Sequence, residues 1–194
     1  MHGVAVRIVL ICVTLAFASA AQAADTARPE GTHSVVDAPL LYEVRIGLMA
    51  HDIDGLWSGD RKEDGFDLGM ELVFNRAVGS ILNGIVRPNV GFTLNNRGDT
   101  SKVYAGFLWR WSHDSGWFVD LGLGAALHNG ELESRERDEK QLGSRVLFRI
   151  PIELGYQLGD HHHVSLYFEH ISNAWLVDEN EGMDLLGIRY GYRF

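Results

Sequence analysis

The sequence predicts an all-β protein, an eight-stranded antiparallel transmembrane β-barrel of the bacterial outer membrane. Three observations predict this fold. Eight segments of about ten residues alternate apolar and polar side chains with a period of two, as strands that bury one face do. The polar positions carry charges of both signs, and the connections between segments alternate in length. The chain also ends with aromatic side chains at alternate positions, Tyr190, Tyr192 and Phe194.

The chain begins with a segment that predicts a secretory signal peptide over residues 1–23. Arg7 supplies the positive start, and residues 8–18 form a largely apolar stretch. Ala21-Gln22-Ala23 places small residues where signal peptidase requires them. A membrane anchor is the less favoured alternative, because the apolar run is short for a bilayer span.

Residues 24–38 are polar and lack periodicity, so we expect a short periplasmic lead-in before a barrel over residues 39–194. Loss of the signal removes Cys12 and one of 17 Lys and Arg residues, Arg7, which leaves 16 against 26 Asp and Glu. The mature chain then has no cysteine for a disulfide. Its acidic balance argues against nucleic acid as a partner, since nucleic acid binds basic surfaces.

The eight predicted strands follow one another with apolar side chains on a single face. In chain order they are LYEVRIGLMAH (41–51), DLGMELVF (67–74), VRPNVGFTL (86–94), KVYAGFLWRWS (102–112), WFVDLGLGAAL (117–127), SRVLFRIPIELGYQL (144–158), the strand around 164–172 and the strand around 184–194. Pro88 and Pro151 interrupt this pattern, because a proline within a closed barrel loses a ladder hydrogen bond or marks a bulge.

The charged face decides between two closed architectures. A soluble sandwich or ligand-binding barrel would place the apolar face inside, whereas an outer-membrane barrel places it against lipid. The polar face carries mixed charges in which Arg outnumbers Lys, and planar guanidinium groups suit buried ion pairs. Its charged residues are Glu43, Arg45, Asp67, Glu71, Arg87, Arg110, Asp120, Arg145, Arg149, Glu153, Glu169, Arg189 and Arg193. We therefore expect these residues to fill a narrow lumen.

The connections agree with this orientation. The longer ones are predicted over 52–66, 95–102, 128–143 and 174–183, and the short turns over 113–116 and 158–160. Long outer loops and short periplasmic turns are typical of these barrels. The segment 75–85 is longer than the other short turns and is partly apolar, and the strand pattern does not predict its structure. The terminal Phe194 resembles the carboxyl-terminal signature of bacterial outer-membrane proteins. An interfacial girdle would be formed by aromatic residues of several strands, Trp109, Trp111, Trp117, Tyr156, Tyr190 and Tyr192.

Three polar side chains fall on the apolar face at the end of the chain. His170 and Ser172 share a face with Phe168, and Asp184 shares a face with Leu186. Consecutive antiparallel strands bring same-face neighbours to within about 4.5–8 Å, so the three side chains can meet outside the barrel. Ser172 would act as nucleophile, His170 as base and Asp184 as the group that orients the imidazole. The alternative is a strand end that simply becomes polar near the membrane interface.

These residues carry a resemblance to a known family. Phe168-x-His170-x-Ser172-Asn173-Ala174, followed by Asn180-x-Gly182-x-Asp184, is similar to the signature of the lipid A 3-O-deacylase (PagL) family. The resemblance implies His170 as base, Ser172 as nucleophile, Asp184 in the place of the family's usual Glu, and Asn173 as an oxyanion-hole amide.

The same resemblance implies hydrolysis of the 3-O-linked acyl ester of lipid A, with release of a 3-hydroxy fatty acid. It implies no metal and no cofactor. Lipopolysaccharide is then the expected substrate, outer-membrane lipids are the expected surroundings, and a homodimer is left open. The implied location is the bacterial outer membrane, which the chain would cross several times.

Other readings of the sequence stay open or are disfavoured. A non-catalytic structural or adhesive eight-stranded barrel is the first rival, and a soluble periplasmic lipid carrier is the second. The run His161-His162-His163 is disfavoured as a metal site, because adjacent strand residues point to opposite faces. The acidic residues of the first long loop are expected to be solvated rather than to bind divalent cations; they are Asp52, Asp54, Asp60, Glu63 and Asp64.

Overall fold

The computed structural model describes residues 39–133 and 138–194. The strands are β1 (Leu41–Ala50), β2 (Phe66–Phe74), β3 (Gly79–Ile81), β4 (Gly84–Asn95), β5 (Lys102–Ser112), β6 (Trp117–His128), β7 (Val146–Leu158), β8 (His162–Ser172) and β9 (Met183–Arg193). The predicted signal peptide and lead-in lie outside the described residues. Within the described ranges, no helix is long and apolar enough to cross a membrane.

Eight of these strands close into an antiparallel barrel, as predicted. Neighbouring strands follow the order β2-β1-β9-β8-β7-β6-β5-β4, and pairing of β2 with β4 closes the cylinder. The one described strand outside this closed ring is β3, which pairs with β4. It lies in the segment that the sequence pattern could not place, where it extends β4 beyond the end of β2. The indole N–H groups of Trp109 and Trp111 donate to the carbonyls of Ile81 and Leu82, at 2.9 and 3.0 Å.

The faces of the strands are arranged as the alternation predicted. Large apolar side chains are exposed on the outer surface, where a bilayer removes them from water. They include Ile46, Leu48, Leu68, Phe107, Leu123, Phe148, Leu154, Leu166 and Ile188. Most of the intervening charged side chains point inward and are buried, and Arg87 and Arg193 are half-buried. The soluble carrier, which requires the opposite arrangement, is therefore excluded. The expectation of a lumen position is wrong for Arg145, which precedes β7, is exposed and donates to the carbonyl of Gly130 in the same loop.

The lumen is filled by paired charges. Arg45 contacts four carboxylates: Glu43, Glu71 at 3.1 Å, Asp120 at 2.7 Å and Glu153 at 2.9 Å. Around it, Arg110 and Arg149 form ion pairs with carboxylates of an adjacent strand, Asp120 and Glu169. The other ion pairs of Arg110, Arg149, Arg189 and Lys102 reach carboxylates of strands that are not their neighbours. A charge in such an enclosed space needs partners of opposite sign, since the water that would solvate it has been displaced.

Both prolines lie where a ladder is interrupted. The β2–β4 pairing ends at Val73 and Asn89, so Pro88 lies one residue beyond it. On the β6 side of β7, pairing is interrupted between Ile152 and Arg149, and Pro151 falls within that gap. Neither proline therefore costs a ladder hydrogen bond along those edges, because no residue pair is formed there.

The long and short connections lie at opposite ends of the barrel. Residues 51–65, 96–101, 129–145 and 173–182 connect the strands at one end, and the turns 113–116 and 159–161 lie at the other. The observed bounds match the predicted loops to within two residues. Strand β8 ends and β9 begins at the long-loop end, which brings the polar trio to the same rim.

Candidate active site

The pairing of β8 with β9 places two members of the polar trio directly opposite each other. His170 is the cross-strand neighbour of Asp184, and one pleat deeper Phe168 faces Leu186. Ser172 is the last residue of β8, two positions beyond His170 and on the same face. The face is the outer one, because Val164 and Leu166 of the same parity are exposed.

The three side chains form a continuous chain of hydrogen bonds. Ser172 Oγ lies 3.0 Å from His170 Nε2, and His170 Nδ1 lies 2.7 Å from Asp184 Oδ1. His170 and Asp184 are buried, whereas Ser172 is half-buried and remains accessible. A hydroxyl, an imidazole and a carboxylate in this order form the arrangement that activates a serine for attack on a carbonyl.

The first long loop also contributes to the site, which sequence reasoning missed. The backbone N–H groups of Trp57 and Ser58 both donate to Asp184 Oδ2, at 2.6 and 2.7 Å. The Trp57 ring is stacked on the His170 imidazole, with centroids 4.5 Å apart and planes 13° apart. The alternation of the strands carries no information about which loop folds onto which strand end. The one feature of the sequence that could have indicated this contact was the presence of a Trp in an otherwise acidic loop.

A glycine immediately before β9 allows the chain to approach the imidazole. Gly182 has a φ of +64°, which a residue with a side chain rarely adopts. A Cβ atom there would lie 3.2 Å from His170 Cε1 and 3.1 Å from the carbonyl oxygen of Ile171. The x-Gly182-x-Asp184 spacing therefore has a steric reason.

Asn173 lies next to the serine, with its side chain bonded to two loops. Its Nδ2 donates to the carbonyl of Leu142, at 3.1 Å, and to the carbonyl of Glu179. Its backbone N–H donates to Asn180 Oδ1 at 2.9 Å. Both amide protons are thus used within the protein. The oxyanion role expected for this amide requires that one of these bonds be exchanged for a bond to the substrate.

The next two residues adopt a strained conformation. Ala174 and Trp175 have φ values of +56° and +61°, and neither is a glycine. Such backbone strain occurs preferentially at functional sites. In the described part of the chain, the N–H groups of both residues lack hydrogen-bond acceptors. Two free donors therefore lie within three residues of the serine.

The geometry is accompanied by a match to a protein family. The family model for lipid A 3-O-deacylase (PagL) matches residues 65–193, which is more than half of the chain and includes the whole trio. The chain belongs to this family. The first long loop, with Trp57 and Ser58, lies ahead of the matched span.

Individual relatives agree with this assignment. Lipid A deacylase PagL of Bordetella bronchiseptica is 29% identical over 87 residues, which is 45% of this chain and 47% of that protein. This chain therefore matches about half the length of that curated relative. The crystal structure of the outer membrane enzyme PagL gives a TM-score of 0.58 at 19% identity, covering 78% of this chain and 99% of that one. Neisserial surface protein A gives 0.51 at 12%, covering 80% and 98%. These two likenesses concern the fold alone.

The other side chains that the sequence singled out lie elsewhere in this PagL-family chain. His161 Nδ1 lies 2.8 Å from the carbonyl of Arg193, His162 Nδ1 lies 2.5 Å from the Tyr190 hydroxyl, and His163 is buried in the lumen. Over residues 39–133 and 138–194, no three His, Cys, Asp or Glu side chains are grouped so that they could hold a metal ion.

The expectation of a solvated first loop is wrong for two of its acidic residues. Asp52 and Glu63 are buried. Asp52 Oδ2 accepts the backbone N–H groups of Lys62 and Glu63, at 2.7 and 3.0 Å, which closes the loop on itself. These carboxylates organise the loop because they satisfy backbone donors that would otherwise lack partners.

The buried imidazole of His51 connects the two ends of this loop. His51 lies between Asp67, 2.8 Å from Nδ1, and Glu63, 2.9 Å from Nε2. Burial alone lowers the pKa of His51, but the hydrogen bonds to the two carboxylates outweigh burial and raise its pKa to about 9. Burial likewise raises the pKa of Glu63, yet the bonds from His51 and Thr100 lower it overall. At neutral pH an imidazolium therefore bridges the loop and β2.

This bridge predicts a loop that opens at alkaline pH. The folded-state pKa of His51 lies above its ordinary value of 6.5. The stabilisation is therefore complete below about pH 6.5 and is lost as the pH rises through about 9. We expect trypsin to cleave after Arg61 or Lys62 several-fold faster at pH 10 than at pH 7, after correction for trypsin's own pH dependence with a free peptide.

His51→Gln serves as the comparison, because it removes the charge at every pH. We expect this variant to be cleaved rapidly at pH 7 already, with little further change at pH 10. Equal protection of the wild-type loop at both pH values would refute the role of the imidazolium.

Proposed function

We propose that this chain is an outer-membrane lipid A 3-O-deacylase, a serine esterase that hydrolyses the 3-O-linked acyl chain of lipid A. The observation that carries the proposal is the hydrogen-bonded chain Ser172–His170–Asp184 on the lipid-facing surface of a PagL-family barrel. Polar side chains at the lipid-facing surface of a barrel cost free energy, so three of them joined by hydrogen bonds there favour a functional role. The family relationship indicates the class of substrate, lipid A.

The distances support a two-step acyl transfer. Ser172 Oγ attacks the carbonyl carbon of the ester while His170 Nε2 accepts its proton. The tetrahedral intermediate then expels the 3-oxygen of the glucosamine, which takes the proton from His170. Water, deprotonated by His170, attacks the acyl-enzyme and releases a 3-hydroxy fatty acid. Asp184 keeps the proton of His170 on Nδ1 and stabilises the imidazolium that forms in each step.

Stabilisation of the oxyanion is assigned to the residues that follow the serine. The backbone N–H groups of Ala174 and Trp175 are free donors in the described structure, and their strained turn holds them in place before the substrate arrives. Preorganised donors of this kind contribute about 3–4 kcal/mol each to the transition state. The Asn173 amide is the third candidate, provided that it releases one of its two carbonyls.

The position of the trio along the barrel suits the substrate. Strand β9 places apolar residues from Leu186 to Phe194 on the outer face, close to the length of about 9–11 residues that a membrane strand needs. His170, Ser172 and Asp184 lie at the long-loop end of that band. We assign this end to the outer surface of the cell, where the sugars of lipid A meet their acyl chains. Residues 1–23 are assigned to an export signal that is removed.

A mass spectrum of lipid A tests the proposal. We expect expression of the chain in a bacterium that lacks such an enzyme to remove one 3-hydroxyacyl group from lipid A, and expression of Ser172→Ala to remove none. Heat-modifiable gel migration checks that both proteins fold. Identical lipid A spectra from cells with wild-type and variant barrels would favour the structural or adhesive alternative.

A further inference from the structure

The loop between β1 and β2, residues 51–65, binds the far side of the Asp184 carboxylate. Asp184 Oδ1 faces His170, and Oδ2 accepts the N–H groups of Trp57 and Ser58, at 2.6 and 2.7 Å. The N–H of Ile53 also donates to the carbonyl of Asp184, at 3.0 Å. With three bonds on its two oxygens, the carboxylate cannot rotate away from the imidazole without leaving backbone donors unpaired.

The same loop covers the imidazole. The Trp57 ring lies nearly parallel to His170 at 4.5 Å and nearly parallel to Phe168 at 6.5 Å. His170 is only 6% exposed, although Leu166, four residues earlier on the same face, is 53% exposed. The face of an indole attracts a positively charged ring more strongly than it attracts a neutral ring. Trp57 therefore stabilises the imidazolium of the reaction more than the neutral imidazole of the resting site.

The loop is held in this position by contacts with the other long loops. Lys62 forms an ion pair with Glu181, the Lys140 ammonium lies 3.2 Å from Asp52, and Glu63 accepts two bonds from Thr100 at 3.0 Å each. These contacts join the first loop to all three other connections at this end. The position of Trp57 is therefore formed before substrate binds.

We propose that residues 51–65 are a positioning element of the active site, in which the Trp57 and Ser58 amides fix Asp184 and the Trp57 indole holds His170 against Ser172. The proposal rests on the function proposed above. Trp57 and Ser58 are positioning residues, since they act on Ser172 through His170 and Asp184. The family match begins at residue 65, so it does not include them.

Reactivity of Ser172 toward a fluorophosphonate probe tests the proposal without lipid A. Full-length, folded protein in detergent is labelled as wild type, Trp57→Ala, Trp57→Phe, Ser58→Pro and Ser58→Ala. We expect Trp57→Ala and Ser58→Pro to label about 10–100-fold more slowly, because small misplacements of catalytic groups have effects of this size. Trp57→Phe retains an aromatic face and Ser58→Ala retains the N–H, so both should stay close to wild type.

A matched control and a second readout complete the test. Trp117→Ala removes an equally exposed indole at the short-turn end and should label like wild type. On lipid A, Trp57→Ala should lower kcat and leave KM nearly unchanged. The low-field proton NMR signal of the His170–Asp184 hydrogen bond, which requires no turnover, should weaken in Trp57→Ala and Ser58→Pro.

The outcomes separate the two proposals. Wild-type labelling and an NMR signal that are unchanged in Trp57→Ala and Ser58→Pro would overturn the positioning role and leave the deacylase proposal intact. A wild-type Ser172 that does not react would count against the deacylase, and the NMR comparison would then decide the positioning role alone.

Discussion

Replacement of His170 by alanine is expected to lower kcat for lipid A deacylation by about 10²–10⁴-fold, the usual contribution of a general base. The imidazole is the only group of the described structure within hydrogen-bond distance of Ser172 Oγ, at 3.0 Å. Without it the hydroxyl has no acceptor for its proton. Release of 3-hydroxy fatty acid from purified lipid A by the detergent-solubilised barrel measures the effect.

Asp184→Asn provides the graded comparison. It preserves the size of the side chain but replaces the charge that stabilises the imidazolium, so we expect a smaller, incomplete loss of kcat. Because one oxygen position of Asp184 accepts two backbone N–H groups, an amide placed there must turn its oxygen toward Trp57 and Ser58. Its NH₂ then faces His170 Nδ1 and favours the wrong tautomer. Wild-type turnover in Asp184→Asn would remove Asp184 from the mechanism.

Replacement of Arg45 by methionine is expected to destabilise the folded barrel by about 3–5 kcal/mol. Arg45 is 1% exposed and contacts four lumen carboxylates. Methionine keeps the length of the side chain but leaves those carboxylates with one cation fewer, in a space that excludes water. Urea unfolding in lipid vesicles, followed by tryptophan fluorescence, measures the change.

Arg97→Met is the matched control for this prediction. Its side chain is 62% exposed in a loop, where its contact with Asp64 at 3.6 Å is open to solvent. Exposed ion pairs contribute little, so the change should stay within about 1 kcal/mol. Similar free energies of unfolding for Arg45→Met and wild type would show that the lumen network does not stabilise the barrel.

The barrel could be predicted because each of its strands obeys one local rule. Inward and outward side chains alternate along most of each strand, as at Arg45 and Ile46, so parity separated the two faces, and the mixed charges on one face identified it as the lumen. The bulge between Leu41 and Glu43 is an exception, because there the Tyr42 ring packs against the guanidinium of Arg87. The same parity assigned His170, Ser172 and Asp184 to the outer face. The segment around β3 escaped prediction because its three residues pair beyond the barrel rim, where alternation no longer reports burial.

The loops could not be predicted in the same way. Nothing in the spacing of Trp57 and Ser58 indicates that they meet Asp184, which lies 126 residues beyond Ser58 in the chain. Nor does the acidity of the first loop distinguish the buried Asp52 and Glu63 from their exposed neighbours. The Asn173 amide was expected to face the substrate, and its bonds to Leu142 and Glu179 appear only when the loops are folded together.

The sequence by itself determined the strand count of the barrel, the identity of its two faces and the face on which Ser172 lies. These properties follow from the two-residue repeat of an extended chain, which is local and independent of context. Only the tertiary structure decided how the carboxylate and imidazole are held, because loops have no repeat and their contacts depend on which strand ends the barrel brings together.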